Sequence, residues 1–167
     1  MSYRVGLGVD FHRFKRGRKL ILGGIRLNYP LGLMGHSDAD VIAHAVADAL
    51  LGAARLGDIG RHFPSTDPKY KDANSLVLLK KCAEMIRKKG YEPVNVDLMV
   101  ILEEPKLGAK LGAMEKNLAK AMGMSAEDVS VKATKPELMG ALGRKEGIAA
   151  IAVCLIKKMI IDYKKGG

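Results

Sequence analysis

Short apolar blocks alternate along the chain with stretches rich in glycine, proline and charge, and the period within each block predicts its element. Residues 3–10 read as a strand leading into Asp10-Phe11-His12. Residues 19–22 and 25–28 flank Gly23-Gly24, a two-residue hairpin turn, and a loop through Pro30, Gly32 and Gly35 follows. Ser37 is placed as a helix N-cap with Asp40 as its capping-box partner, and the Ala- and Leu-rich run Val41 to Leu56 has helical spacing. Gly57, Gly60, Pro64 and Pro68 make 57–74 an irregular loop. A second helix covers 75–89 and stops at Gly90. The β-branched stretch 94–102 is a strand, and Pro105 opens a third helix to about residue 122. Ser125 and Asp128 lead into a strand over 129–134, and 136–143 form a short helical turn. Residues 147–156 read as a final buried strand, with a helix as the alternative. The order mixes a hairpin with β-α-β units, which predicts an α+β layer fold.

Composition narrows this picture. A chain of 167 residues with 48% hydrophobic and 28% charged residues fits one globular domain, here 1–161, with 162–167 as a flexible tail. Tryptophan is absent and aromatics are 5%, so the core is built from Leu, Ile, Val, Ala and Met. The formal charge of +10 favours anionic partners without choosing among them. Aromatic stacking residues are few and the basic residues are dispersed, which argues against nucleic acid. Cys82 and Cys154 are far apart among apolar neighbours, so a reduced, cytoplasmic setting is expected. The N-terminal run is unlike a signal peptide, and the apolar stretch 147–155 is too short to span a membrane.

Without a CxxC pair, a bound metal falls to histidine and carboxylate. Asp10 and His12 are two apart and share one face of a strand. His44 lies on the first helix, with Asp40 one turn before it and Asp48 one turn after. An Asp-His-His set with a fourth position open is the pattern of a catalytic zinc site. Asp40 either caps its helix or joins the site, and Asp48 is read as a carboxylate that orients His44. The run from Gly35 to Asp40 places His36 and Ser37 at a helix start, where phosphate is favoured. The loop carrying Asp58, Ile59, Gly60, Phe63, Pro64, Ser65, Thr66 and Asp67 is long for a connection and could grip a polyol.

Several segments together resemble one family. Gly8-Val9-Asp10-Phe11-His12, Gly35-His36-Ser37-Asp38-Ala39-Asp40, His44-Ala45 with Asp48, Gly57-Asp58-Ile59-Gly60 with Phe63-Pro64, Pro105-Lys106, Val131-Lys132-Ala133-Thr134 with Glu137, and Gly143-Arg144 with Glu146-Gly147 look like the 2-C-methyl-D-erythritol 2,4-cyclodiphosphate synthase signature, in the family's order over almost the whole chain. The resemblance implies a homotrimer, its mixed sheets facing the three-fold axis, helices packed on one face and active sites between subunits. It implies zinc at Asp10, His12 and His44, and a magnesium or manganese ion near Glu137 that bridges the diphosphate. The substrate would be 4-diphosphocytidyl-2-C-methyl-D-erythritol 2-phosphate, cyclised with loss of CMP. His36 would support the transition state, with Ser37 beside it. Asp58 and 63–67 would hold the erythritol phosphate. Leu102, Pro105, Lys106, Leu107 and Gly108 would cradle the cytosine, and Ala133, Thr134, Lys135 and Glu137 the nucleotide phosphates.

Two positions depart from the family. Lys135-Pro136 stands where a threonine run is usual, so an ammonium replaces a hydroxyl at the phosphate contact and a backbone donor is lost. Ala141 stands where phenylalanine is common, which widens a cavity on the trimer axis where an isoprenoid diphosphate sits in relatives. Arg144 would still attract that diphosphate, or pair with Glu146 across subunits. A metal-dependent phosphohydrolase giving a linear product is the competing enzymatic reading.

Overall fold

The computed structural model describes residues 2–159; the expected tail at 162–167 lies outside them. Twelve elements form in order: β1 (Tyr3–Lys15), β2 (Leu20–Leu22), β3 (Ile25–Leu27), β4 (Gly32–Leu33), α1 (Val41–Ala53), α2 (Ile59–His62), α3 (Ser75–Lys88), β5 (Tyr91–Ile101), α4 (Leu111–Met122), β6 (Val129–Thr134), α5 (Gly140–Gly143) and β7 (Gly147–Lys158). Short 3-10 turns occupy Pro68–Tyr70, Gly108–Lys110 and Ala126–Asp128.

Five strands make one mixed sheet in the order β4-β1-β7-β5-β6, and β2-β3 is a separate hairpin. β1 and β5 both run antiparallel to β7, while β5 and β6 are parallel and joined through α4, a β-α-β unit. The register aligns Gly8, Ala152, Leu98 and Val131 in one row across four strands. All four are buried, because α1, α3 and α4 cover this face. The opposite face carries Val5, Leu7, Val9, Phe11 and Val153, all exposed. The helices thus lie on one face, and the α+β layer reading holds.

α1 is enclosed by the sheet on one side and α3 on the other. Ten of its thirteen residues are buried, and the three that reach outward are His44, Asp48 and Gly52, four apart. The helix therefore has a single polar stripe, and His44 is on it.

Local details differ from the sequence reading. The N-cap of α1 is Asp40, not Ser37: Asp40 is extended, and its carboxylate accepts from Ile42 and Ala43. The same carboxylate accepts the Gly23 and Gly24 N–H groups of the hairpin turn at 2.9 and 2.7 Å, which an uncharged hydroxyl at Ser37 could not serve together. α1 ends at Ala53 because Arg55 turns left-handed at φ 57°, bringing the Leu56 N–H to the Leu51 carbonyl. β5 begins earlier than expected and tolerates Pro93 at a bulge, where no ladder donor is needed. Pro105 does not open α4; it follows a cis bond, and the helix starts after the turn at Gly108–Lys110. Only 140–143 are helical within 136–143, since Glu137 and Leu138 are left-handed at φ 52° and 61°.

Candidate active site

β1 presents Asp10 and His12 on its helix-covered face, and α1 presents His44 toward them. His12 Nε2 and His44 Nδ1 each lie 3.0 Å from Asp10 Oδ2 and 3.2 Å from one another. This is the single metal-capable cluster of His, Cys, Asp and Glu among the described residues. A tetrahedral ion with nitrogen and oxygen ligands at about 2.0–2.1 Å needs ligand atoms roughly 3.3 Å apart. The triangle has nearly that size, and two imidazoles with one carboxylate suit zinc while leaving a coordination position open, so the residues fit the ion.

Electrostatics support the donor set. Burial alone would raise the Asp10 carboxyl, but hydrogen bonds from His12 and His44 and their charge hold it well below the usual carboxylate range. Burial works against the His12 imidazolium, yet the Asp10 carboxylate and the Met34 carbonyl raise its pKa overall. His12 Nδ1 donates to Met34 O at 2.6 Å, which leaves Nε2 for the triangle.

Around the triangle, the expected orienting role of Asp48 is taken by others. Asp48 accepts the Ile59 N–H at 2.7 Å and so ties α1 to α2, with no bond to His44. Burial pushes its carboxyl up, the Ile59 N–H opposes that, and the Asp10 and Asp58 carboxylates add to the rise. His44 Nε2 instead lies 2.9 Å from Ser75 Oγ and 3.1 Å from Ser37 Oγ. Asp40 is fully buried and spent on the α1 cap and the hairpin. The buried polar side chains among the described residues are Ser37, Asp40, Ser75 and Glu103; the first three stand at or beneath the triangle, and Glu103 lines a second cleft. Ser75 and Glu103 were not among the expected site residues; Ser75 read only as the start of the second helix.

A cleft of about 210 Å³ opens beside the triangle, lined by His12, His36, Ser37, His44, Ile59, Gly60, Phe63 and Ser65. His36 Nε2 donates to the Asp67 carbonyl at 2.9 Å, which joins the loop before α1 to the loop after α2. Asp58 caps α2 and Asp67 caps the following 3-10 turn, with Pro64 and Thr66 between them. A second cleft of about 330 Å³ is lined by Leu102, Glu103, Pro105, Lys106, Leu107, Gly108, Leu111, Ala133, Thr134 and Lys135. Lys135 Nζ lies 3.3 Å from Glu103 Oε1, and Glu103 Oε2 accepts the Leu138 N–H at 3.2 Å. The two clefts share no lining residue. Glu137 is exposed and outside the triangle. Ala141 borders a hollow of about 300 Å³ with Phe11, Arg13 and Glu146, and Arg144 Nε donates to Glu146 Oε1 at 2.7 Å within the chain. Both thiols are buried and pushed up, Cys82 to about 12 and Cys154 to about 11, which makes them inert. No helix among the described residues is long and apolar enough to cross a membrane.

Comparison with known proteins agrees with this arrangement. The 2-C-methyl-D-erythritol 2,4-cyclodiphosphate synthase of Chlorobaculum parvum is 54% identical over 155 residues, covering 93% of this chain and 99% of the relative. The synthase of that name from Chloroherpeton thalassium is 52% identical over 156 residues, covering 93% and 99%. Among solved structures, the bifunctional IspDF from Campylobacter jejuni superposes with a TM-score of 0.91 at 42% identity, covering 95% of this chain and 43% of that larger one. The IspF of Plasmodium falciparum in its CDP complex gives 0.83 at 32% identity, covering 95% and 98%. Residues 3–157 match the YgbB family as a whole, and with relatives this close over nearly their full length, the chain belongs to that family.

Proposed function

We propose that this chain is a 2-C-methyl-D-erythritol 2,4-cyclodiphosphate synthase, a phosphorus–oxygen lyase of non-mevalonate isoprenoid biosynthesis. The observation that carries the reading is the Asp10-His12-His44 triangle, in a chain 54% identical to proteins of that name. The 2-phosphate oxygen of 4-diphosphocytidyl-2-C-methyl-D-erythritol 2-phosphate attacks the β-phosphorus, a new P–O bond closes the ring, and the bond to the α-phosphate breaks to release CMP. The nucleophile is already anionic, so the residues need only position it and stabilise charge. Asp10, His12 and His44 would hold zinc, which would supply Lewis-acid stabilisation of phosphoryl charge.

The positions of several side chains support the remaining assignments. His36 and Ser37 border the cleft beside the triangle, and with Asp58, Ile59, Gly60 and the 63–67 stretch they would hold the erythritol phosphate. The second cleft, with Leu102, Pro105, Lys106, Leu107 and Gly108 on one wall and Ala133, Thr134 and Lys135 on the other, suits a cytidine nucleotide; a relative is known with CDP bound. Glu137 would hold magnesium or manganese with the diphosphate. Asp40, Asp48 and Glu146 support neighbouring groups rather than touching substrate.

Two observations favour a homotrimer with sites between subunits. The two clefts lie apart on one chain, so a neighbour's cleft can complete each site. The apolar face of β1 exposes Val5, Leu7, Val9 and Phe11 side by side, and it suits sheets meeting at a three-fold axis. The hollow by Ala141 would then open toward that axis, with Arg144 near its mouth for an isoprenoid diphosphate. A single domain over 1–161 working in the cytoplasm, with no nucleic acid or membrane partner, completes the reading.

Phosphorus NMR of the protein with this substrate, zinc and magnesium tests it. A cyclic diphosphate with equimolar CMP is expected. A linear product would replace cyclisation with hydrolysis, and no turnover by a zinc-loaded protein would overturn the reading.

A further inference from the structure

We propose that Asp38, acting through Ser75, sets the tautomer of His44 and so aims a bare Nδ1 lone pair at the metal position. The inference rests on the reading of the triangle as a metal site, and deepens it.

Ser75 Oγ makes a short hydrogen bond to Asp38 Oδ1, and the Ser75 N–H reaches Asp38 Oδ2 at 3.1 Å. A carboxylate can only accept, so the hydroxyl proton of Ser75 points at Asp38. The Ser75 oxygen then faces His44 Nε2, 2.9 Å away, with lone pairs alone. That nitrogen must carry the proton. The neutral imidazole that a metal requires has a single N–H, so in that state the Nδ1–H···Asp10 hydrogen bond is given up and Nδ1 stands bare at the corner of the triangle, 3.0 Å from Asp10 Oδ2 and 3.2 Å from His12 Nε2.

Surroundings keep the direction from scrambling. Ser75 is 1% exposed and Ser37 8% exposed, so water does not reach the hydroxyls freely. Ser37 Oγ accepts the Ala39 N–H at 3.1 Å and lies 3.1 Å from His44 Nε2, so it adds a second acceptor for the same proton. Its own proton can go to Ser75 Oγ at 3.3 Å, which leaves the order intact. The same logic holds for His12, where the Met34 carbonyl fixes the proton on Nδ1 and leaves Nε2 for the metal. Two acceptors outside the triangle thus aim two lone pairs into it. Asp38 and Ser75 are positioning residues; neither is a ligand.

The test is zinc affinity of the full chain, stripped by chelator and titrated against a chromophoric competitor. Ser75→Ala should weaken zinc about tenfold, the low end for loss of such an outer partner. Asp38→Asn should weaken it further, toward a hundredfold, although it is nearly isosteric. Its amide can donate to Ser75 Oγ, which turns the serine proton onto His44 Nε2 and drives the imidazole proton to Nδ1. Ser75→Thr keeps the hydroxyl and should stay within about threefold of wild type, which guards against a fold defect in the other variants. In the zinc-loaded wild type, a slowly exchanging His44 Nε2–H proton should appear by NMR and exchange faster in Ser75→Ala, where Ser37 is the acceptor that remains. Wild-type affinity in Ser75→Ala, or Asp38→Asn binding no more weakly than Ser75→Ala, overturns the proposal with the metal site intact. A wild-type chain that binds no zinc overturns the metal reading itself, and the proposal with it.

Discussion

Gly8 lies so close to α1 that a Cβ on it would stand 1.9 Å from the Ala45 carbonyl oxygen and 2.6 Å from the Ala49 N. Gly6 meets the Ala49 carbonyl in the same way, one inward step earlier on β1. No real Cβ fits there, so the strand and helix approach backbone to backbone. Ala45 follows His44 on the helix, and Asp10 is the next inward residue after Gly8 on the strand. The contact therefore sets how near the two halves of the triangle come.

Gly8→Ala should consequently act on stability and on the metal site together. Overpacking against backbone, which cannot rotate away, costs about 1–3 kcal/mol or more. We expect a lower urea midpoint and a zinc affinity reduced at least tenfold. Leu7→Ala, one residue away on the exposed face, serves as the comparison and should leave zinc affinity unchanged. Tight zinc binding in a destabilised Gly8→Ala protein would mean that the close approach does not govern the triangle.

The buried cap at Asp40 gives a pH dependence with a definite sign. Burial raises its carboxyl to about 6 from 3.8, against the Gly24, Gly23 and Ala43 N–H groups, with the Asp38 carboxylate adding to the rise. A folded-state pKa above the unfolded value favours the folded state below about 3.8, and that advantage is lost as pH rises through about 6. Asp40→Asn removes the titration but keeps one cap acceptor. Its stability relative to wild type should shift in favour of Asn between about pH 4 and about pH 7, by on the order of 2 kcal/mol. Urea unfolding of both proteins at several pH values measures the difference, and a flat difference across that window would contradict the argument.

Much of this arrangement could be read along the chain, and what could not has a physical cause. Asp10 and His12 share a face because strand period is two, and His44 fell on the polar stripe of a helix; both are local facts. The α1 cap was misplaced because Ser37 and Asp40 are equally good local candidates. The choice is made by the Gly23 and Gly24 N–H groups, which need a charged acceptor brought from 16 or 17 residues away. Ser75 was invisible for the same reason: it meets His44 from 31 residues along the chain, and a serine opening a helix carries no local sign of that. The late start of α4 reflects how Pro105 is used, in the wall of a cleft rather than in a first helical turn.

Lys135 places an ammonium on the wall of the second cleft. Glu103 is 8% exposed and holds both the Lys135 ammonium and the Leu138 N–H, next to two left-handed residues. Under the proposed function, the ammonium meets the nucleotide phosphates as a point charge. Lys135→Thr should weaken CDP binding by about five- to tenfold at low salt, since a charge-assisted contact contributes about 1–1.4 kcal/mol more than a neutral one. It should also flatten the salt dependence of binding. Calorimetry at two ionic strengths checks both. Unchanged affinity with unchanged salt dependence would leave Lys135 as a partner of Glu103 alone.

The bare face of β1 carries the prediction about assembly. Leu7 is 63% exposed and Phe11 65%, on the side of the sheet opposite α1, α3 and α4. Both point the same way, since their separation of four residues keeps them on one strand face. If three such faces meet at an axis, the chain should run in solution at three times its 18.0 kDa mass. Leu7→Glu would place like charges together at that axis, where little water remains to solvate them. We expect the variant to elute as a monomer by light scattering and to lose cyclisation, because in the proposed assembly each site is completed by a neighbour's cleft. Its zinc affinity should survive, because Asp10, His12 and His44 come from one chain. Loss of zinc binding in the monomer would instead tie the triangle to the interface, and a trimer that tolerates Leu7→Glu would place the contact on another face.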